Sequence, residues 1–312
     1  MALYLGIDTS NYTTSSALYD SITKKVIQRK QLLPVKDGEK GLRQSDAVFY
    51  HNKLLPQELA ELFKKQSQKL CAVGVSVKPR DIEGSYMPCF TVGEGYASAL
   101  SSALDIPLHK FSHQRGHIAA ALYSAKQLEL LKEKYIAFHI SGGTTEALLI
   151  TPAKNLFSFN ISIIGKTNDL SAGQIIDRVG AMLGLPFPSG THIENLAKNC
   201  TNKLKPYNCA KNNNCNFSGL ENKCKDLLGS ASREALSLFV IESILITLDT
   251  MSQNIINNYG SLPLVYAGGV MSNNIIKKHF KSKYKAIFAS PEFSSDNAAG
   301  TALLAFLKTE GL

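Results

Sequence analysis

The sequence predicts a duplicated α/β fold in two lobes. The first observation is an internal repeat, because residues 4–18 and 136–150 each show an apolar strand, a turn of small and hydroxylic residues, and a returning strand. The second is the alternation of strand and helix patterns elsewhere, which favours α/β. The third is the length of 312 residues, which suits two lobes. We expect an N-terminal lobe at 1–130, completed by 297–312, and a C-terminal lobe at 131–296.

The two repeated hairpins also indicate a function. Their turns offer backbone N–H groups and hydroxyls, which are the groups that bind phosphate. Because one hairpin opens each half of the chain, the pair predicts a nucleotide bound between the lobes.

Between the hairpins, residues 46–66 have helical spacing, and Pro56 either breaks this helix or starts a second one. The remaining elements of this half are a buried strand at 70–77, a helix at 91–104, a strand at 106–111 and a helix that begins at Ser112, a plausible N-cap.

In the second half, we expect helices at 173–183, 232–259 and 296–307 and a strand at 264–270 that ends in glycines. The helix at 232–259 has a strongly amphipathic pattern. Residues 199–216 are rich in Asn and Lys without apolar periodicity, so they form either an ordered insertion or a flexible flap.

The overall composition is that of a globular protein, with 44% hydrophobic and 19% charged residues. The formal charge of +9 favours an anionic partner, either a nucleic acid or a nucleotide, although a lysine-rich solvated surface would give the same value. We expect a cytoplasmic protein without a membrane partner, because no apolar run reaches the length of a membrane span and the N-terminus reads as a first strand.

The six cysteines contain no C-x-x-C pair. Four of them fall between Cys200 and Cys224, where a structural metal site or a disulfide is an alternative to reduced thiols.

His113 and His117 lie four residues apart on the helix predicted from Ser112. At this spacing both imidazoles face the same side and can reach one metal ion, although a surface pair without function has the same pattern. No glutamate follows the first histidine, as the H-E-x-x-H metallopeptidase motif requires. The candidate third ligand is Asp296, and His139 is either a fourth ligand or a histidine on a strand face.

Short motifs along nearly the whole chain share their order and spacing with one known family. They are 112–117 (SHQRGH), 140–145 (ISGGTT), 165–169 (GKTND), 171–173 (SAG), 177–178 (DR), 183–190 (LGLPFPSG), 217–220 (FSGL), 267–273 (AGGVMSN) and 295–299 (SDNAA). With these motifs the chain resembles the tRNA threonylcarbamoyladenosine transferases, formerly called glycoproteases.

This resemblance implies an actin-like ATPase or sugar-kinase-like fold, with a metal and a nucleotide in the cleft between the lobes. His113, His117 and Asp296 match the family's metal ligands, and iron and zinc both suit such a set. Glu194 stands where the family usually has aspartate. The residues that match phosphate-facing positions are Ile140, Ser141, Gly142, Gly143 and Thr144, and those that match nucleoside-holding positions are Asp177, Gly190, Glu194 and Asn273.

The implied chemistry is acyl transfer. The family takes threonylcarbamoyl-adenylate and moves the carbamoyl group onto the exocyclic amine of the adenosine beside the anticodon of certain tRNAs. The implied cofactors are one transition metal per chain and an adenine nucleotide, either threonylcarbamoyl-AMP or ATP. The implied partners are tRNA and proteins of the tRNA-modification machinery, including a second family member.

Four departures from the family pattern bear on this chemistry. The first turn has lost a pair of consecutive acids and keeps Asp8 and Asn11, which are candidate catalytic residues or turn caps. Thr144 stands where the family has histidine or asparagine. Residues 169–174 have lost two acids, and residues 77–80 replace a Gly-Pro-Gly loop and add two cations. These losses weaken Mg²⁺ chemistry, which relies on carboxylates.

Several functions are therefore compatible with the sequence. The chain is a threonylcarbamoyl transferase, a carbamoyl transferase with another acceptor, or a non-catalytic partner of a true family member. Such a partner would dock through the helix at 232–259 or at 113–125, although these apolar faces also suit a core. A metallopeptidase would need a general base beside the two histidines, and none is in place.

Overall fold

A computed structural model of the protein describes residues 2–35, 42–64, 66, 68–153, 159–294 and 298–311. The chain divides into two compact units. Unit 1 comprises Met1–Lys132, Pro152–Phe159 and Ser295–Leu312, and unit 2 comprises Glu133–Thr151 and Asn160–Ser294.

Each unit is built on a five-stranded sheet, and the two sheets share one topology. The strand order is β3-β2-β1-β4-β5 in the first sheet and β12-β11-β6-β7-β8 in the second, so in each a hairpin is extended by parallel strands. The predicted duplication is therefore confirmed. The strands are β1 Ala2–Ser10, β2 Thr13–Asp20, β3 Lys25–Leu32, β4 Lys69–Lys78, β5 Leu108–Ser112, β6 Tyr135–Ile140, β7 Thr145–Pro152, β8 Phe159–Lys166, β11 Leu264–Ala267 and β12 Ile287–Phe288, with a separate small hairpin of β9 Ala210–Lys211 and β10 Asn214–Cys215.

The helices of unit 1 follow the predicted positions with one difference. They are α1 Gln44–Phe63, α2 Phe90–Leu104, α3 His113–Ser124 and α10 Ala299–Glu310. The predicted break at Pro56 is wrong, because α1 runs through it without interruption. Its apolar face is buried on both sides of the proline, at Leu55 and Leu59 among others, and this burial offsets a local cost of about 3 kcal/mol. Ser112 caps α3 as predicted, accepting a hydrogen bond from the N–H of Arg115.

In unit 2 the longest helix is a core element. The helices are α4 Ala172–Met182, α5 Gly190–Ala197, α6 Ser218–Leu227, α7 Arg233–Tyr259, α8 Asn274–Tyr284 and α9 Pro291–Ser294. Residues 235–241 of α7 are all buried, so the predicted one-sided amphipathic pattern is wrong over its first turns. Among the described helices, α7 alone is long and apolar enough to cross a membrane, but 72% of its most apolar window is buried inside the protein.

The helices expected to dock a partner bury their apolar residues inside their own units. Ile118 and Leu122 of α3 are buried, as are Leu236 and Ile244 of α7. These four residues belong to the core and are not available to a partner.

The polar stretch at 199–216 is an ordered insertion packed on α7. The N–H groups of Tyr207 and Cys209 donate to Ser243 Oγ and Thr247 Oγ1, both at 2.9 Å. Because these hydrogen bonds fix backbone groups to hydroxyls in the middle of a core helix, the insertion is tied down along its length, which answers the question left open by its composition.

Helix α8 is held to α7 by one carboxylate. Asp249 accepts from His279 Nε2 at 3.0 Å, from Lys283 Nζ at 2.6 Å and from Tyr284 OH at 2.8 Å. Burial by itself would raise the pKa of Asp249, but these three hydrogen bonds lower it below its usual value. The ionised carboxylate is therefore the form that fastens α8.

We predict that Asp249→Asn destabilises the protein at neutral pH by roughly 1–2 kcal/mol, because charge-assisted hydrogen bonds are lost. A lowered pKa in the folded state stabilises above the unfolded pKa of about 3.9, so the difference should vanish as pH falls through the folded value. Urea unfolding at pH 7 and below pH 4 measures both. Asp226→Asn, at an exposed position on α6, is the matched control. We call the three contacts of Asp249 the Asp249 clamp, and an equal loss of stability in the two variants would contradict it.

Candidate functional site

The two predicted metal-ligating histidines converge in unit 1. His113 Nδ1 lies 2.7 Å from Asp8 Oδ2, and His113 Nε2 lies 2.9 Å from His117 Nε2. Asp8 is 1% exposed and also accepts a hydrogen bond from the N–H of Ser10 at 3.1 Å. Since a carboxylate accepts, the contact assigns the Nδ1 proton to His113 and directs its Nε2 lone pair towards His117.

The two Nε2 atoms lie close enough for both to bind one metal ion. In a tetrahedral site, two imidazole nitrogens about 2.1 Å from the ion are about 3.4 Å apart. The observed separation of 2.9 Å is shorter and is also that of a hydrogen bond between the two rings, so a bound ion would move them apart by about 0.5 Å. The described residues contain no group of three His, Cys, Asp or Glu side chains that could hold a metal. The candidate third ligand, Asp296, lies outside the described residues.

The sequence also allowed a metal among the cysteines, and their environment opposes this. All six are free thiols. Burial raises the pKa of Cys209 to about 11 and those of Cys215 and Cys224 to about 12. Cys209, Cys215 and Cys224 pack in the core of unit 2, and among the described residues no three His, Cys, Asp or Glu side chains are grouped so that they could hold a metal. His139, the other suggested ligand, lies on β6 opposite Glu146 of β7, within unit 2.

The tip of the first hairpin is fastened to α1. Asn11 Oδ1 accepts from Gln44 Nε2, and Gln44 Oε1 accepts from the N–H of Cys89 at 3.3 Å. Thr14 Oγ1 lies 2.7 Å from Nδ1 of His51, a fully buried histidine whose pKa is lowered by burial. Asn11, a predicted catalytic residue, thus has a structural contact. Gln44 and His51 were missed because their partners are more than thirty positions away.

The cations added near α3 are partly neutralised. Asp81 pairs with Arg115 Nε and lies 3.7 Å from Lys78 Nζ, and the Arg115 guanidinium lies 4.7 Å from the centre of the Phe159 ring. The expected gain in positive charge is therefore reduced at Lys78 by this acid, which the sequence argument did not pair with it.

In unit 2 the start of α4 closes the predicted phosphate turn. Ser171 Oγ donates to the carbonyl of Gly142 at 2.6 Å, and the N–H of Gly173 donates to the carbonyl of Ser141 at 3.2 Å. The N–H of Ala172 donates to Thr145 Oγ1 at 2.8 Å. The first N–H groups of α4 are thus used to position the turn and not to bind an anion themselves.

The turn keeps its own donors available. Gly142 and Gly143 are exposed, and within the described chain their N–H groups donate to no protein acceptor. The N–H of Thr144 donates instead to Ser141 Oγ at 3.1 Å. Two adjacent exposed backbone donors on a fixed turn are suited to a phosphate.

Gly268 packs closely against the end of β6, where the same turn begins. Gly268 has φ +99°, and a Cβ there would lie 2.2 Å from the carbonyl oxygen of Ile140. A side chain is therefore excluded, both by conformation and by space, where the loop after β11 passes the end of β6.

The predicted nucleoside residues are only partly free for a ligand. Asp177 Oδ1 accepts from the N–H of Ser189 at 2.8 Å, which places Gly190 directly after this contact at the start of α5. Burial raises the pKa of Asp177, and the hydrogen bond from Ser189 opposes this only in part. Within the described chain, this hydrogen bond uses one of the two carboxylate oxygens of Asp177.

Glu194 is occupied by its neighbours. Its Oε1 accepts from Asn274 Nδ2 at 2.7 Å and lies 3.0 Å from Lys198 Nζ, and its Oε2 accepts from the N–H of Asn274 at 3.4 Å. Asn273 Oδ1 caps α8 by accepting from the N–H groups of Ile275 and Ile276. Glu194 thus positions the segment that carries Asn273.

The acid retained at the start of the 169–174 segment has a structural role. Asp169 accepts from the N–H groups of Phe217 and Ser218 at 2.7 and 2.9 Å and so caps α6. Burial would raise its pKa, but the hydrogen bonds from Ser218, Phe217 and Leu170 lower it. A signal missed in the sequence was the Ser171-x-x-Gln174 capping box, which is formed at the start of α4.

The close packing of Gly173 against the turn can be tested by substitution. A Cβ there would lie 2.5 Å from Gly142 Cα, so Gly173→Ala should push α4 from the turn and destabilise the protein by about 1–3 kcal/mol. Thermal unfolding measures the change. Gly95→Ala, at an exposed position in α2 with open space around it, should be neutral or stabilising. Equal melting temperatures for the two variants would contradict the close approach.

Solved structures show the fold. The chain matches a HypF structure from T. kodakarensis with a TM-score of 0.62 and 13% identity over 99% of this chain and 48% of that one. It matches a ROK hexokinase from Thermus thermophilus with a TM-score of 0.52 and 12% identity over 99% of both chains. At such identities these matches establish the predicted actin-like ATPase and sugar-kinase-like class of fold and nothing about activity.

Sequence relatives show the family. A curated tRNA N6-adenosine threonylcarbamoyltransferase from Phytoplasma australiense is 29% identical over 97% of this chain and 92% of its own length. One from Kosmotoga olearia is 32% identical over 70% of this chain and 67% of its own. The family model for TsaD, tRNA N6-adenosine threonylcarbamoyltransferase, matches residues 35–303. The chain belongs to the tRNA N6-adenosine threonylcarbamoyltransferase family.

Proposed function

We propose that this chain transfers a threonylcarbamoyl group from an adenylate to the exocyclic amine of the adenosine next to the anticodon in tRNA, and that the transfer depends on a metal. The observation that carries the proposal is the approach of His113 Nε2 to 2.9 Å from His117 Nε2, with Asp8 behind His113. Family membership supports threonylcarbamoyl transfer to tRNA in general, and the histidine pair supports the metal.

Unit 1 would hold the metal, iron or zinc. His113 and His117 would be two ligands, Asp296 the third, and Asp8 would fix the ring of His113. A metal in such a set polarises a carbonyl oxygen, which suits an acyl group under attack by an amine. In this proposal Asp8 is therefore a positioning residue, and Asn11 holds the tip of the hairpin to α1 through Gln44.

Unit 2 would hold the adenylate. The N–H groups of Gly142 and Gly143 would donate to the phosphate, on a turn that the start of α4 keeps in place. The remaining carboxylate oxygen of Asp177 would accept from a ribose hydroxyl, and the segment at Asn273 would face the nucleoside.

We assign the reaction to the cytoplasm, where the six reduced cysteines agree with a reducing compartment. Further partners would be proteins of the tRNA-modification machinery, including a second family member with intact acidic turns.

A second candidate is carbamoyl transfer to another acceptor. It is favoured by the first turn, where Asn11 Oδ1 accepts a hydrogen bond from Gln44 and the family's pair of consecutive acids is lost. The chain would then be a divergent paralogue that uses the same donor.

Metal content tests the histidine pair. We predict near-stoichiometric iron or zinc in natively purified protein, and loss of it in His113→Ala and His117→Ala. Asp8→Asn should weaken Zn²⁺ binding about 10–100-fold, because a partner that orients a ligand histidine is lost. Competition with a chromophoric chelator measures the affinity. Asp81→Asn, whose contact with α3 in the described part of the chain is the ion pair with Arg115, should bind metal as the wild type does. Equal weakening by both aspartate variants would contradict the positioning role.

The transfer itself is tested with threonylcarbamoyl-adenylate and unmodified tRNA. We expect threonylcarbamoyladenosine in the nuclease digest by mass spectrometry, and a loss of at least about a hundredfold in His117→Ala, as for removal of a metal. Lys53→Gln, at an exposed site on α1, is the control. A wild type that binds metal and adenylate yet modifies no tRNA would overturn transfer to tRNA and favour the second candidate.

A further inference from the structure

Helix α8 lies in a long segment without acidic residues. No Asp or Glu occurs between Asp249 and Glu292. The cations in this interval are Lys277, Lys278, Lys281, Lys283 and Lys285. Such one-sided charge is unusual on an ordinary solvated helix, where opposite charges are interspersed.

Two of these lysines serve the fold. Lys283 Nζ binds Asp249 at 2.6 Å as part of the clamp described above. Lys277 is half-buried, its amine lies 5.6 Å from the centre of the Phe288 ring, and burial, followed by the charge of Lys281, lowers its pKa. Neither is free to meet a ligand as an extended cation.

The other three form what we call the lysine stripe, Lys278, Lys281 and Lys285. All three are exposed, and within the described chain none has an acidic partner. Lys278 and Lys281 are three residues apart and share one side of α8, and Lys285 follows the helix as its C-cap residue, with φ 51°. At a rise of about 1.5 Å per residue the stripe is about 10 Å long. Like charges so placed repel one another, so the fold gains nothing from them.

Helix α8, which carries the stripe, starts beside the candidate nucleoside residues. Asn273 is the N-cap of α8, and Glu194 binds both the N–H and the side chain of Asn274. The clamp at Asp249 fixes the other end of the helix. The three lysines are thus mounted on a helix that is anchored at both ends within unit 2.

We propose that the lysine stripe binds the phosphate backbone of the tRNA acceptor, close to the nucleoside site. A nucleic-acid strand carries one charge per about 3.4 Å of helix axis, so 10 Å of stripe faces about three phosphates. Lysine binds phosphate as a point charge without reading sequence, which suits a contact that holds RNA while another element selects the base. This inference rests on the proposed tRNA acceptor.

The test compares two triple variants by fluorescence anisotropy with labelled unmodified tRNA at 50–200 mM salt. Lys278→Gln/Lys281→Gln/Lys285→Gln should lower the affinity at low salt by roughly ten- to a hundredfold and reduce the log–log salt slope by about 2–3. Lys25→Gln/Lys53→Gln/Lys69→Gln removes the same charge from exposed positions in unit 1 and should change the slope by less than about one. Adenylate binding should stay unchanged in both variants, which shows that they are folded.

The outcomes separate the two proposals. A wild type that binds tRNA, with equal loss in both triple variants, would overturn the lysine stripe and leave the transferase assignment standing. A wild type that binds adenylate but no tRNA would overturn both. A selective loss in the stripe variant, with KM for tRNA raised and kcat at saturation kept, supports the stripe.

Discussion

The arrangement in unit 1 depends on the buried carboxylate of Asp8. A carboxylate that is 1% exposed must be supplied with hydrogen-bond donors, because leaving it unsatisfied costs several kcal/mol. Its donors include the N–H of Ser10 in its own hairpin and His113 at the start of α3. The need to satisfy one side chain therefore couples the hairpin to α3. It also fixes the direction in which His113 presents its second nitrogen.

Unit 2 has the same kind of hairpin, but other contacts hold its turn in place. There the turn is closed by the hydroxyl of Ser171 and by the close approach of Gly173, and the buried acid of this hairpin, Glu146, lies on β7 opposite His139. A carboxylate orients histidines that bind a cation. A turn whose own residues include no acid can use its backbone N–H groups to bind an anion. In the proposed function, the same topology would thus serve opposite charges in the two units. Asp169, an acid near the turn, caps α6.

Features that depend on neighbours in the chain could be predicted from the sequence. The two hairpins, the Ser112 cap and the H-x-x-x-H pair all arise from spacings of a few residues. The contact between Asp8 and His113 spans 105 positions, and no local pattern encodes it. For the same reason the occupation of Glu194 by Asn274, 80 positions away, was not foreseen. Pro56 and α7 show the opposite failure, because local pattern was overridden by burial in the core.

The most direct test of the account is X-ray absorption at the metal edge of the natively purified protein. We predict iron or zinc with a nitrogen and oxygen shell at about 2.0–2.2 Å that includes two imidazoles. A sulfur shell near 2.3 Å would contradict the account, because it would move the metal from His113 and His117 to the thiols of unit 2. The absence of any bound metal from folded protein would contradict it equally.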